Sequence, residues 1–202
     1  AAFAANQNLS TDVLVVGAGS AGLTAAVQAA EKGKKVILLE KNLGVGGSSQ
    51  FAEGLFAVGS EWNRLRSDPL TKEEALKTLM EKHCYVIDAA KTKDYVEGSA
   101  ENISWLAGHG IKFEVVRMTP WEAATWHVIS DYKGTNHGAG LIKGLKDAAD
   151  KAGVETKLGT PATELILNKE GAVVGAKAAD EKGNTYTISA KAVILATGGF
   201  GD

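Results

Sequence analysis

Gly17, Gly19 and Gly22, spaced G-x-G-x-x-G with Ser20 and Ala21 inside the loop, are followed by an acid at Glu40, 23 positions after the first glycine. Those residue types at that spacing suit a ligand with two phosphates and a ribose. Gly17 lets the chain turn sharply off a strand, because no side chain restricts its backbone angles. Gly19 admits close approach of the backbone to a pyrophosphate, and Gly22 lets a helix lie tight on a sheet. Glu40 would accept hydrogen bonds from ribose hydroxyls and would repel a 2′-phosphate, which disfavours NADP. An ordinary strand–helix turn without ligand is the competing reading, and the motif alone leaves NAD and FAD both open.

The elements that must position these residues are legible around them. Asp12–Val16 is an apolar strand, Leu23–Lys32 is compatible with a helix, and Lys35–Leu39 is a second apolar strand ending on Glu40. The helix would present its N–H groups and positive dipole end to the phosphates. Residues 1–10 read as a mobile polar lead-in. A glycine-rich segment, Gly44–Ala57, follows the first unit. Thr71–Ala90 and Thr92–Gly108 read as two helices. Thr71 and Glu74 form the capping-box pattern, and Gly108 and Gly110 close the second helix. Lys112–Val116 reads as a strand, Pro120–Ser130 as a Trp-bearing segment, Gly134–Gly140 as a flexible stretch and Leu141–Lys151 as a helix. Strands are expected at Val154–Lys157, Ala162–Asn168, Val173–Ala179 and Thr185–Ser189, with hairpin turns at Asn168–Gly171 and Asp180–Asn184. Ala192–Ala196 is apolar throughout, as a parallel strand buried on both faces would be. It runs into Thr197, Gly198 and Gly199, where ligands sit in open α/β sheets.

Composition bounds the rest. With 202 residues, 45% hydrophobic and 23% charged, the chain is long enough for one large domain or one and a half. A formal net charge of −2 gives no electrostatic case for nucleic acid or an anionic membrane. No apolar run approaches a membrane span. The single cysteine, Cys84, excludes an internal disulfide and a Cys-rich metal site, and it reads as a buried packing thiol. His83, His109, His127 and His137 show no metal-ligand spacing, so no metal site is expected. The start at Ala1 fits either removal of a signal peptide or an arbitrary cut, so cytoplasmic and exported locations both stay open.

Taken in one order, Gly17–Gly22, Glu40-Lys41, Gly46-Gly47-Ser48-Ser49, Ala52–Gly54 and Ala196-Thr197-Gly198-Gly199-Phe200 resemble the FAD-binding domain of the fumarate reductase/succinate dehydrogenase flavoprotein family. Soluble fumarate reductases, urocanate reductases and ketosteroid dehydrogenases are members. The resemblance covers nearly the whole chain. It implies an α/β, Rossmann-like FAD-binding fold with a parallel central sheet, helices and an added antiparallel β-meander, occupying residues 11–202. It also implies that Glu40 and Lys41 hold the adenosine ribose, and that Ser48 and Ser49 lie beside the pyrophosphate and flavin ring. Backbone around Ala52–Leu55 would lie near the isoalloxazine. Ala162, after Pro161, would contact adenine, and Ala196, Thr197, Gly198 and Gly199 would approach the ribose and pyrophosphate.

Two departures from the family pattern matter. Aligned on Ala52–Gly54, Ser48 stands where membrane-complex members carry the histidine that bonds covalently to the flavin, so FAD is expected to be non-covalent. Leu55 replaces a commoner second glycine. The family's capping domain, with its proton-donating arginine and carboxylate clamp, would follow the Ala-Thr-Gly-Gly segment, so the chain reads as a fragment lacking the catalytic acid. No catalytic residue is assigned within 1–202. His137 is the best polar candidate, with a capping or structural role preferred. Trp121 and Trp126 read as packing residues before cleft-lining ones, and the charges of Lys72–Lys82 as a solvated helix face.

The resemblance implies hydride transfer between flavin N5 and an activated C=C bond of a small-molecule substrate, with an electron-donor protein or domain as partner. An NAD-dependent dehydrogenase domain and a nucleotide-binding module without catalysis are the alternatives.

Overall fold

The computed structural model describes residues 5–65, 70–117 and 123–199. It divides into two compact units, one formed by Ala1–Gln50 with Ile142–Asp202 and the other by Phe51–Leu141.

The first unit is built on a six-stranded sheet in the order β6-β2-β1-β9-β8-β7. Its parallel part comprises β6 (Glu155–Lys157), β2 (Val36–Leu39), β1 (Asn6–Val16) and β9 (Thr185–Leu195). β7 (Ala162–Leu167) and β8 (Val173–Ala179) join β9 as the expected antiparallel meander. The four residues of β2 are all buried, as a strand covered on both faces must be. Helix α1 (Ser20–Glu31) buries Gly22, Leu23, Ala26 and Val27, an i, i+1, i+4, i+5 stripe that fits one helical face. On the sheet, Leu14, Val16, Ile37, Leu39, Ala176, Ala178, Tyr186 and Ile188 form a core cluster.

Three expectations for this unit are corrected. Residues 6–10 are no lead-in: they extend β1 and pair with β9 from Asn6↔Thr185 to Ser10↔Ser189. Thr185–Ser189 and Ala192–Ala196 are not two strands either, since β9 runs through both. The strand pairs in parallel with β1, but it is not buried on both faces. Ile194 is 37% and Leu195 59% exposed. α1 packs across β1 and β2 and reaches β9 only at its margin, so the end of β9 is incompletely covered among the described residues.

The second unit holds an antiparallel sheet, β3-β5-β4, made of Gly54–Phe56, Trp126–Asp131 and Lys112–Val116. β5 takes up the end of the segment that the sequence reads only as Trp-bearing and runs one residue past it, to Asp131; Pro120 and Trp121 fall outside the described residues. Helices α2 (Glu61–Leu65), α3 (Lys72–Lys82) and α4 (Ala89–Gly108) belong to the same unit. Thr71 and Glu74 make the expected capping box at the start of α3. The helical stretch to Ala90 is interrupted, however. Cys84 and Tyr85 adopt positive φ of 50° and 57°, and Asp88 caps α4 by accepting a hydrogen bond from the Lys91 N–H. Cys84 therefore sits in an exposed turn and is not a packing thiol. α5 (His137–Lys151) starts four residues earlier than the sequence suggests and runs from the second unit into the first.

Among the described residues no helix is long and apolar enough to cross a membrane. No group of three or more potential metal ligands occurs among them.

Candidate cofactor site

The first unit brings the glycine loop to the carboxyl ends of its parallel strands. β1 ends between its neighbours: the Gly17 N–H donates to the Leu39 carbonyl at 2.8 Å, and the Ala196 N–H donates to the Val16 carbonyl at 2.8 Å. Gly17 has φ +101°, and a Cβ there would collide with the Ala196 carbonyl. A Cβ on Gly22 would strike the Gly17 carbonyl oxygen. Both glycines are thus required by the protein itself. Gly19 differs, because a Cβ there would meet only Ser49 Oγ at 3.6 Å and the Gly46 carbonyl at 3.7 Å. Its smallness answers no demand of the protein, which fits a ligand approaching that backbone.

Glu40 is the charged centre of the site. It is only 6% exposed. One carboxylate oxygen accepts the Ala18 N–H of the glycine loop at 2.8 Å, and the other accepts the Asn42 N–H at 2.9 Å. A carboxylate has about four acceptor positions, so two positions remain for ribose hydroxyls after both backbone bonds are made. The main chain of the turn that follows β2 is held as well: the Thr160 N–H donates to the Glu40 carbonyl and the Gly159 N–H to the Asn42 carbonyl, each at 2.8 Å. A cleft of about 180 Å³ opens here, with Gly17, Glu40, Lys41, Pro161, Ala162 and Thr197 on its walls. That is smaller than the roughly 300–1,000 Å³ of a pocket for a whole ligand. It suits one end of an elongated ligand.

The next part of such a ligand would meet the N-terminus of α1. No acidic side chain lies in the first turn, so nothing there opposes an anion. The Ser20 N–H donates to Ser49 Oγ at 3.2 Å, and the two hydroxyl oxygens are 2.9 Å apart. Gly46 joins the same cradle through a hydrogen bond from its N–H to the Ala18 carbonyl at 2.8 Å. Ala21, Gly47 and Ser48 are exposed beside it. Gly198, with φ +87°, and Gly199 have open space where a Cβ would stand.

Ala52, Gly54 and Leu55 belong to the second unit. Gly54 and Leu55 lie in β3, where a Cβ on Gly54 would approach the His127 carbonyl oxygen at 2.6 Å. The Ala52 carbonyl accepts the Gly138 N–H at 2.5 Å, and the Glu53 carbonyl faces His137 Nδ1 at 3.2 Å. His137, at φ +53°, opens α5 with its ring nitrogen at the Glu53 carbonyl. Phe200 lies outside the described residues.

Sequence reasoning missed the Ala18 N–H, the Asn42 N–H and Thr160. Backbone donors carry no side-chain signature. Thr160 carries no motif of its own and stands beside Pro161, which reads only as the residue before Ala162.

The chain matches the model of the FAD binding domain over residues 12–202. It is 38% identical over 192 residues to a vinyl phenol reductase of Lactiplantibacillus plantarum, covering 95% of this chain and 38% of that protein. It is also 38% identical over 208 residues to a urocanate reductase of Eggerthella lenta, covering 98% of this chain and 33% of the relative. Among solved structures, the open conformation of a flavocytochrome c3 fumarate reductase superposes with a TM-score of 0.86 at 32% identity, covering 96% of this chain and 34% of that one. The chain therefore spans between a third and two fifths of the length of these relatives. With its glycine loop, buried Glu40 and serine-lined helix start in a sheet of this topology, the chain belongs to the family of FAD-binding domains.

Proposed function

We propose that this domain holds FAD non-covalently for a flavin-dependent oxidoreductase that reduces an activated C=C bond of a small molecule. The observation that carries the cofactor reading is the Glu40 carboxylate, anchored by the Ala18 and Asn42 N–H groups at the edge of a cleft open to a nucleoside. The remaining lone pairs of Glu40 orient the ribose. Lys41 lies at the same cleft, and Pro161 and Ala162 supply a small apolar wall for adenine. Ser20, Ser49 and the first-turn N–H groups of α1 bind the pyrophosphate. Bound flavin supplies two-electron hydride chemistry that no side chain can. Ser48 supports non-covalent attachment, since the histidine used for a covalent flavin bond in the resembling membrane complexes is a serine here.

Reconstitution with FAD followed by acid precipitation tests the cofactor reading. Flavin absorbance that stays with the native protein and passes into the acid supernatant is expected. Flavin retained in the precipitate would overturn the non-covalent reading, and a colourless protein that binds NADH would overturn FAD. The substrate class is supported by the names of the relatives, which are vinyl phenol, urocanate and fumarate reductases. An electron-donor protein or domain would recharge the flavin. Chemically reduced protein carrying this domain should be reoxidised by an alkene of this kind and not by its saturated product. Equal reoxidation by both would refute C=C reduction.

A further inference from the structure

A polar cluster that the cofactor site does not use is buried in the second unit. Ser60, just before α2, is 1% exposed, Asn63 in α2 is 5% exposed and His127 in β5 is 0% exposed. Asn63 Nδ2 donates to the Ala124 carbonyl at 2.5 Å, which turns Asn63 Oδ1 towards Ser60. That oxygen accepts the Ser60 backbone N–H at 3.0 Å and lies 2.8 Å from Ser60 Oγ. Ser60 Oγ accepts the Asn63 N–H at 3.1 Å and lies 2.6 Å from His127 Nε2. On the other side of the ring, Nδ1 is 3.2 Å from the Thr125 carbonyl.

The hydrogens of this cluster do not add up when the imidazole is neutral. Asn63 Oδ1 and the Thr125 carbonyl can only accept, and Ser60 has one hydroxyl hydrogen. A neutral ring has one N–H. If that N–H is on Nδ1 and serves Thr125, the hydroxyl must turn to Nε2, leaving two oxygen lone pairs facing at the Ser60–Asn63 contact. If it is on Nε2, the Nδ1 lone pair faces the Thr125 carbonyl. The Thr125 carbonyl already accepts the Ala57 N–H at 2.9 Å, and Asn63 Oδ1 the Ser60 N–H, so each neutral form keeps one contact between facing lone pairs. One added proton removes it, with Nδ1–H to Thr125, Nε2–H to Ser60 Oγ, and Ser60 O–H to Asn63 Oδ1.

We propose that Ser60, Asn63 and His127 form a buried proton-binding site, in which protonation of the ring swings the Ser60 hydroxyl from Nε2 to Asn63. The Ser–His contact is no nucleophilic pair, since both side chains are sealed from solvent. Burial opposes the proton and holds the imidazole below its ordinary value of 6.5, while the Thr125 carbonyl acts the other way. The charged groups on the elements around the ring are Glu53 before β3, Glu61 and Arg64 on α2, Lys112, Glu114 and Arg117 on or just after β4, and Asp131 on β5. All but Asp131 are exposed, and Asp131 pairs with Lys112 at 3.5 Å. The ring edge meets Phe113, with centroids 6.5 Å apart. The hydroxyl and amide therefore set the proton affinity.

Nitrogen NMR of the 202-residue chain with labelled histidine tests this between pH 8 and 5. His127 should pass from one ring N–H to two while the chain stays folded. Ser60→Ala should move its titration midpoint down by about half a pH unit, a roughly threefold loss of proton affinity, with His83, His109 and His137 unmoved. Ser60→Thr, which keeps the hydroxyl, should leave the midpoint near that of the parent. A ring fixed in one neutral tautomer throughout the folded range would overturn the proposal, and so would a midpoint indifferent to Ser60→Ala. If Ser60→Ala does not fold, the N–H count in the parent chain still decides.

Discussion

Glu40→Gln separates what this carboxylate does for the ligand from what it does for the fold. In the parent, its two oxygens accept the Ala18 and Asn42 N–H groups at 2.8 and 2.9 Å from a buried position. Glutamine keeps one acceptor oxygen and puts an NH2 where the other stood. One of the two backbone N–H groups then faces a donor. A hydrogen bond to a charged group is worth about 1.5–3 kcal/mol, and an unsatisfied buried donor costs about 1–3 kcal/mol. These overlap, and the expected loss of stability is about 2–4 kcal/mol, a large fraction of the roughly 5–15 kcal/mol that holds a domain together. With a urea slope of about 1–3 kcal/mol per molar, the midpoint should fall by on the order of 1–2 M. The assay is urea unfolding without cofactor, followed by far-UV circular dichroism, because the tryptophans among the described residues, Trp62, Trp105 and Trp126, lie in the second unit. Amide exchange at Ala18 and Asn42 adds a local readout, with one of the two losing protection. A cofactor-free variant as stable as the parent, with both amides still protected, would refute the structural role of Glu40 and leave it only a ligand contact.

Other substitutions and conditions test neighbouring conclusions. Gly22→Ala, whose methyl would strike the Gly17 carbonyl, should cost about 2–4 kcal/mol in thermal or urea unfolding. Gly19→Ala should keep stability within about 1 kcal/mol yet weaken FAD binding at least about tenfold by fluorescence titration; unchanged affinity would remove the pyrophosphate from that backbone. Thr71→Ala should lose about 1 kcal/mol through its capping box, measured by urea unfolding. Cys84, exposed in its turn, should react fully with a thiol reagent in the native protein, and a silent thiol would contradict its placement. Acid should lower the thermal midpoint in two windows. Burial depresses His127 below 6.5, so the unfolded chain binds the proton more tightly and stability falls as pH drops below about 6.5. Asp12, Asp88, Asp180 and Glu74 are held below ordinary carboxylate values by hydrogen bonds, chiefly from Lys191, the Lys91 N–H, Asn184 and the Thr71 N–H respectively. Their contributions persist above those ordinary values and are lost at still lower pH. A flat midpoint from pH 7 to 5 would contradict the first window.

The parts of the fold that could be read in advance are those where a backbone demand selects a residue type. Gly17 and Gly22 are glycine because a methyl has no room, and Thr71 and Glu74 are paired because a helix start needs them. The break after Lys82 was hidden because His83–Val86 contains no glycine or proline, and Cys84 and Tyr85 take left-handed angles that their types do not announce. β5 was hidden because one of its two buried positions, His127, is polar and meets Ser60, 67 positions away. The end of β9 misled for the opposite reason: an apolar run states what its side chains favour, and the cover over Ile194 and Leu195 depends on other elements. At the site, residue types pointed to Glu40, while its anchoring came from main-chain donors that carry no letter of their own.

The pairing of β1 with β9 has a consequence for how the chain comes to be folded. Asn6 and Thr185 meet across 179 positions, and Gly17 turns against Ala196. During synthesis β9 emerges long after the phosphate loop that it flanks, since Thr185 follows Gly17 by 168 positions (185 − 17). Contacts so distant in sequence close slowly, because loop entropy is lost before they form. The stretch Phe51–Leu141 is continuous and can settle on the ribosome while residues 6–11 still await β9. Until β9 arrives the loop has only β2 beside it, through the Gly17 N–H and the Leu39 carbonyl, and a stop shortly before Thr185 would leave a complete G-x-G-x-x-G sequence supported on one side.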